Sequence, residues 1–93
     1  MADLSFQDKR YLERMFEMEG GYVLDFSNRT FHNFIYDSIK FNIEEEKYYS
    51  NGESKARRLR VFWDTESNYT VGLLIEKLLE YWHTQVNMGE RNI

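Results

Sequence analysis

The stretch Gly20-Gly21-Tyr22-Val23-Leu24-Asp25-Phe26-Ser27-Asn28-Arg29-Thr30-Phe31 interrupts a chain whose remaining pattern is helical. Its two glycines end a helix, its short apolar run is predicted to be an extended connector, and its polar cluster is rich in residue types that begin helices. No second strand pattern occurs with which the apolar run would pair. We therefore predict an all-α fold in which this stretch, called the joint below, links the first helix to the others.

Apolar residues recur at helical spacing on both sides of the joint. Ser5 and Asp8 resemble a capping box at the start of the first helix, and Ser54 is a good cap for the third. The predicted helices are Phe6–Met18, Ser27 or Thr30 to about Ile39, Lys55–Thr65 and Val71–Asn87. Because each helix must bury its apolar stripe against others, about four helices with short links predict one compact bundle. The domain is predicted to span residues 1–93, with residues 88–93 as a frayed tail.

The joint is predicted to be a packed structural motif. Its members are Tyr22, Leu24, Asp25, Phe26, Arg29 and, from the fourth helix, Gly72. Leu24 and Phe26 are predicted core residues. A glycine in a helix costs about 1 kcal/mol relative to alanine, so we expect the connector backbone to approach Gly72 closely. Asp25 and Arg29 are predicted partners at the start of the second helix, because a carboxylate caps free amides and an arginine pairs with it.

Composition limits the function classes. The chain has 93 residues, no cysteine and a formal net charge of −4. Without cysteine, disulfides, thiolate nucleophiles and cysteine zinc sites are excluded. The acidic balance disfavours attraction of the whole surface to nucleic acid or anionic lipid, although it permits a local basic patch. No signal-peptide pattern or long apolar run occurs, so we expect a soluble cytoplasmic protein without a membrane partner.

No pattern in the chain predicts a catalytic, cofactor-binding or metal site. His32 and His83 lack metal-ligand spacing, and the glycines do not form a phosphate-binding loop. Asp25, Arg29 and His32 fall within eight residues and allow an acid–base cluster, but the interpretation as a helix cap is preferred. Glu44–Glu46 is interpreted as solvated charge, because consecutive side chains on a turn point in different directions. We therefore expect no cofactor and no enzymatic activity.

The third predicted helix carries a concentration of positive charge, formed by Lys55, Arg57, Arg58 and Arg60. Helical spacing groups Arg57 with Arg60 and leaves Arg58 beside an apolar seam. We expect these side chains to be largely solvated and to bind a partner. The alternative is that they pair with acidic residues of the chain, including Glu44–Glu46.

Three stretches carry a resemblance to a known family; they are Tyr22–Phe31, Ser54–Trp63 and Val71–Leu74. Together they resemble a small module near the N-terminus of bacterial abortive-infection proteins of the AbiJ-like kind. The resemblance covers residues 21–81 and implies a non-catalytic helical module in phage defence, linked to a separate effector that is often a HEPN-type ribonuclease. HEPN chemistry needs an arginine followed four to six residues later by histidine. Here Arg29 precedes His32 by only three, which argues against nuclease activity.

The leading hypothesis is therefore a bacterial interaction, sensor or adaptor module whose partner is another protein or a fused effector domain. The alternative is a small nucleic-acid-binding module that contacts phosphates through the basic third helix. A small metal-dependent enzyme ranks last.

Overall fold

The computed structural model of the chain describes residues 4–89. The helices are α1, Phe6–Met15; α2, Asn28–Ile39; α3, Lys55–Thr65; and α4, Asn68–Asn87, with short 3₁₀ turns at Glu19–Gly21 and Glu46–Tyr49. The radius of gyration is 12.5 Å, close to the ~12 Å expected for a compact domain of this length. The predicted all-α bundle of four helices is confirmed. No helix in the described part of the chain has the length and apolar character needed to cross a membrane.

Each of the four helices begins at a serine. The side-chain oxygen of the capping serine accepts a hydrogen bond from the backbone N–H three residues on; these serines are Ser5, Ser27, Ser54 and Ser67. Each bond satisfies one of the amides that have no partner inside the helix. Two of the caps are reciprocal capping boxes, because the cap N–H donates to Asp8 in α1 and to Thr30 in α2. The start of every helix is thus specified locally.

Most predicted helix boundaries are confirmed. Helix α3 has the predicted bounds, and α2 starts after the first of its two candidate caps. Helix α4 starts at Asn68, before the predicted Val71, because Ser67 caps it. Of the predicted frayed tail, residues 90–93 lie outside the described residues. Met88 caps the end of α4 and donates its backbone N–H to the Thr84 carbonyl at 3.0 Å.

Helix α1 ends at Met15, before the predicted Met18. Glu17 has a φ of 54°, in the left-handed region. Its N–H donates to the Arg14 carbonyl at 3.2 Å, and the Met18 N–H donates to the Glu13 carbonyl at 2.9 Å. These are the two bonds of a Schellman motif, a helix end at which glycine usually supplies the left-handed residue. A glutamate in that position conceals the helix end from sequence analysis.

The double glycine shapes the joint rather than ending α1. Gly20 and Gly21 have φ values of 80° and 92°, which residues other than glycine rarely adopt. A Cβ at Gly21 would also lie 3.0 Å from the Cβ of Ser54, the cap of α3. Both glycines therefore let the chain turn tightly beside the start of α3.

The connector after these glycines is only partly extended. Tyr22 is extended, but Leu24 has a φ of 50°. The Phe26 N–H donates to the Val23 carbonyl at 3.2 Å and closes a turn. The Leu24 N–H donates to the Phe16 carbonyl at 2.6 Å and ties this turn to the end of α1. The expected extended connector is thus corrected to a turn held by backbone hydrogen bonds.

The aromatic ring of Phe26 anchors the joint in the core. Its centroid lies 5.8 Å from that of Phe31, 5.1 Å from that of Phe34 and 4.8 Å from that of Tyr81. These rings belong to α2 and α4, which pack against each other. Leu24 and Phe26 are 6% and 7% exposed, so their predicted place in the core is confirmed.

The prediction for Gly72 is wrong. Gly72 is exposed on α4, and a Cβ built there would have no heavy atom of a neighbouring segment within 4 Å. The connector reaches α4 elsewhere, at Tyr81, about two and a half helical turns further along. The absence of a side chain at Gly72 therefore leaves a gap on the outer surface of α4 and serves no packing contact inside the domain.

Candidate partner-binding groove

Arg58 is a core residue, contrary to the expectation that it is solvated. Its side chain is 1% exposed. Nε donates to the Glu53 carbonyl at 3.2 Å, and Nη2 donates to Asn28 Oδ1 at 2.7 Å. The guanidinium also lies over the rings of Tyr49 and Phe31, at 5.0 and 5.9 Å from their centroids. Arg58 therefore joins the starts of α2 and α3, and its guanidinium group is not accessible to a partner.

The other basic residues of α3 have different environments. Arg60 is half-buried, and its Nε donates to Glu13 Oε2 at 3.0 Å, which joins α3 to α1. Arg57 is exposed and donates Nη1 to the Asn51 carbonyl at 3.0 Å. Lys55 places Nζ 5.3 Å from the centroid of the Tyr22 ring. Arg60 therefore pairs with an acidic residue of the chain, as the alternative predicted. Its partner belongs to α1 and is not one of the residues Glu44–Glu46.

A charged groove lies between α1, the Glu19–Gly21 turn and the start of α3. Its volume is about 1070 Å³. Its charged lining residues are Arg10, Arg14, Arg57, Arg60, Glu13, Glu17 and Glu19. The two glycines form part of the wall, and Tyr22, which is 60% exposed, stands at the edge beside Lys55. The joint and the basic face of α3, which were predicted separately, thus border one concave surface.

The contribution of α1 to this groove was not predicted from the sequence, and Arg10 and Arg14 were assigned to no site. Their spacing of four residues places them on one helix face, which is the signal that was available. Which neighbouring element that face borders depends on the turn after α1, and the positive φ of Glu17 that shapes this turn is not encoded by a glycine.

Asp25 has a structural role, but its partners are not the predicted ones. Its Oδ1 accepts a hydrogen bond from the Tyr81 hydroxyl at 2.9 Å, and its Oδ2 accepts one from Gln85 Nε2 at 3.0 Å. No ion pair in residues 4–89 joins Asp25 to Arg29, and the cap of α2 is Ser27. We call the contact of Asp25 with Tyr81 and Gln85 the Asp25 clasp. It fastens the joint to the C-terminal half of α4.

Two further titratable groups among the described residues, His32 and Tyr48, have defined neighbours. His32 is half-buried with its ring 6.1 Å from that of Tyr36. Tyr48 is buried and donates its hydroxyl to Glu66 Oε2 at 2.7 Å. Burial and then this bond to a carboxylate raise the pKa of Tyr48. Within the described residues, no three histidine, aspartate or glutamate side chains are placed to hold a metal ion.

Comparison of the chain with models of known protein families, with curated proteins and with solved structures finds no match.

Proposed function

We propose that this domain is a non-catalytic protein-interaction module whose charged groove binds an acidic segment of a protein partner or of a fused effector domain. The observation that carries the proposal is the meeting of α1, the joint and α3 around one groove. The resemblance to the AbiJ-like module supports a sensor or adaptor role in bacterial phage defence, in the cytoplasm.

The charge of the groove favours an acidic partner. Four arginines against three glutamates leave one excess positive charge along the lining, and Lys55 adds a second at the edge. The formal net charge of the chain is −4, so this surface differs in sign from the molecule as a whole. Arg10, Arg14 and Arg57 are exposed along this lining. Their guanidinium groups suit carboxylates, which they bind through two parallel hydrogen bonds.

The exposed aromatic ring beside the groove favours a polypeptide segment with an aromatic or apolar residue. This ring belongs to Tyr22, which lines the groove and is 60% exposed. Exposed tyrosine is enriched at protein interfaces because one side chain offers both apolar area and a hydrogen-bonding hydroxyl.

Nucleic-acid binding through α3 has less support. Arg58 is buried and Arg60 is paired, so Lys55 and Arg57 are the remaining basic side chains of that helix. Nucleic-acid affinity depends on the number of phosphates neutralised, and two cations in an acidic chain supply little of it.

The test is selection of a random peptide library on the domain, followed by affinity measurements on the enriched peptides. We expect acidic peptides that contain an aromatic residue. Arg57→Glu should weaken their binding about tenfold or more, because it places a like charge against the ligand. Arg29→Glu is the matched control, since Arg29 is an exposed arginine that does not line the groove. Equal loss in both variants, or no enrichment of acidic sequences, would contradict the proposal.

A second measurement distinguishes nucleic-acid binding from binding of an acidic protein segment. Labelled DNA and RNA are titrated with the domain at low and at moderate salt. Phosphate binding predicts an affinity that falls with salt, with a slope of about 0.9 per phosphate contact on a double-logarithmic plot. Tight, salt-sensitive binding that Arg57→Glu abolishes would favour the nucleic-acid module.

A further inference from the structure

A second surface, on the side formed by α1 and α4, is apolar and open. One hollow of about 710 Å³ lies between the two helices and includes Phe6, Tyr11 and Trp82. Another of about 590 Å³ runs along α4 from Gly72 past Leu79 to Trp82. Because Trp82 lines both, the two hollows form one continuous surface, which we call the Trp82 face. Exposed apolar patches of this kind mark interaction sites.

The two halves of the Trp82 face have complementary shapes. On the α1 half, the rings of Phe6 and Tyr11 stand at the rim of the hollow and are 75% and 73% exposed. On the α4 half, Gly72 has no side chain and no neighbouring segment near it, which leaves a recess beside Ile75 and Leu79. Trp82 lines both hollows, so it lies where the α1 half and the α4 half of the face meet.

The two halves also have opposite charges. Arg10 and Arg14 border the α1 half. Glu76 and Glu80 border the α4 half. All four are exposed, although Lys77 approaches Glu80 at 4.0 Å on the same helix. The face is therefore basic on its α1 half and acidic on its α4 half.

We propose that the Trp82 face binds a second copy of this chain. A two-fold axis that lies in the plane of contact and passes between the halves at Trp82 places the basic half of each copy on the acidic half of the other. The same patch is then used twice, as in an isologous dimer. The aromatic rings of α1 enter the recess at Gly72, and Arg10 and Arg14 face Glu76 and Glu80 across the contact. This assigns to Gly72 a role that packing inside the domain does not explain. The α1 half of the Trp82 face shares Arg10 and Arg14 with the groove, whereas the α4 half shares no residue with it. Substitutions on the α4 half therefore test the dimer independently of the proposed groove function.

The first experiment measures molecular mass by sedimentation across a range of protein concentrations. The wild-type chain should shift from monomer to dimer as concentration rises. Gly72→Leu fills the recess and improves helix propensity, so the variant should fold at least as well as wild type. Its dimer dissociation constant should rise about tenfold or more. A wild-type chain that stays monomeric, or a Gly72→Leu dimer as tight as wild type, overturns the proposal.

The second experiment tests the arrangement by exchanging charges. One variant carries Arg10→Glu and Arg14→Glu, and the other carries Glu76→Arg and Glu80→Arg. Each alone brings like charges together twice and should be monomeric, whereas an equal mixture should form a heterodimer in which both contacts join opposite charges. Circular dichroism confirms that each variant is folded. A mixture that stays monomeric, or single variants that still dimerise, overturns the two-fold arrangement.

Discussion

Replacing Arg58 with alanine is expected to destabilise the domain by about 3 kcal/mol, whereas Arg57→Ala, at the next position, should cost less than ~0.5 kcal/mol. The two residues differ in environment, since Arg58 is 1% exposed and Arg57 lies on the surface. Arg57→Ala is therefore the control for Arg58→Ala, because both variants replace an arginine with alanine at neighbouring positions of α3.

The magnitude follows from three contributions. Removing the long buried side chain leaves a hole, which costs about 2–5 kcal/mol by analogy with truncation of buried methionine. The hydrogen bonds to Glu53 and Asn28 are also lost, at about 1.5–3 kcal/mol each for a charged donor. Against this, the variant no longer buries a cation, whose desolvation costs several kcal/mol. Because the last two contributions nearly cancel, the hole sets the net value.

Thermal unfolding followed by circular dichroism is a suitable assay. For a domain of this size, each kcal/mol corresponds to about 4–8 °C in Tm, so Arg58→Ala should lower Tm by roughly 12–24 °C. Arg57→Ala should stay within about 4 °C of wild type. A small, equal decrease in both variants would refute the assignment of Arg58 to the core.

Three further perturbations test the fold. Phe26→Ala should cost about 3–5 kcal/mol in urea unfolding, because the ring is buried among three others; an unchanged midpoint would contradict the role of the joint. Lys40→Gly should stabilise by ~0.5–1 kcal/mol, because Lys40 has a left-handed φ of 61° at the end of α2, and a loss of stability would contradict this. Folding raises the pKa of Tyr48 above its ordinary 10.0, so the contribution to stability is complete below that pH and declines above it. From about pH 10 to 11, wild type should lose up to ~1.4 kcal/mol more than Tyr48→Phe, and parallel pH profiles would contradict the buried hydroxyl.

The parts of the fold that depend on local signals were predictable from the sequence. The serine caps and the helical spacing of apolar residues specify where helices start, and α3 was predicted with its observed bounds. The end of α1 was missed because Glu17 adopts a conformation that glycine usually marks. Backbone strain of that kind is supported by surrounding packing, which a local pattern does not report.

The candidate site was predicted only in part, because it depends on how helices face one another. Spacing placed Arg58 near an apolar seam but did not show that Asn28 and Tyr49 enclose it. Likewise, Asp25 was recognised as structural, yet its true partners lie 56 and 60 residues further along the chain. A local pattern indicates a nearby arginine as the partner of Asp25. It contains no information about a tyrosine or a glutamine so far along the chain.

The Asp25 clasp has a consequence for the order of folding. The serine-capped helices can begin to form from neighbouring residues, but the clasp closes a loop of 56 to 60 residues, which carries an entropic cost before any bond is gained. We therefore expect the clasp to form after the transition state, once α4 has docked. Weakening it through Asp25→Asn should then speed unfolding while leaving the refolding rate almost unchanged. The clasp would thus determine the lifetime of the folded domain without changing the rate at which the domain folds.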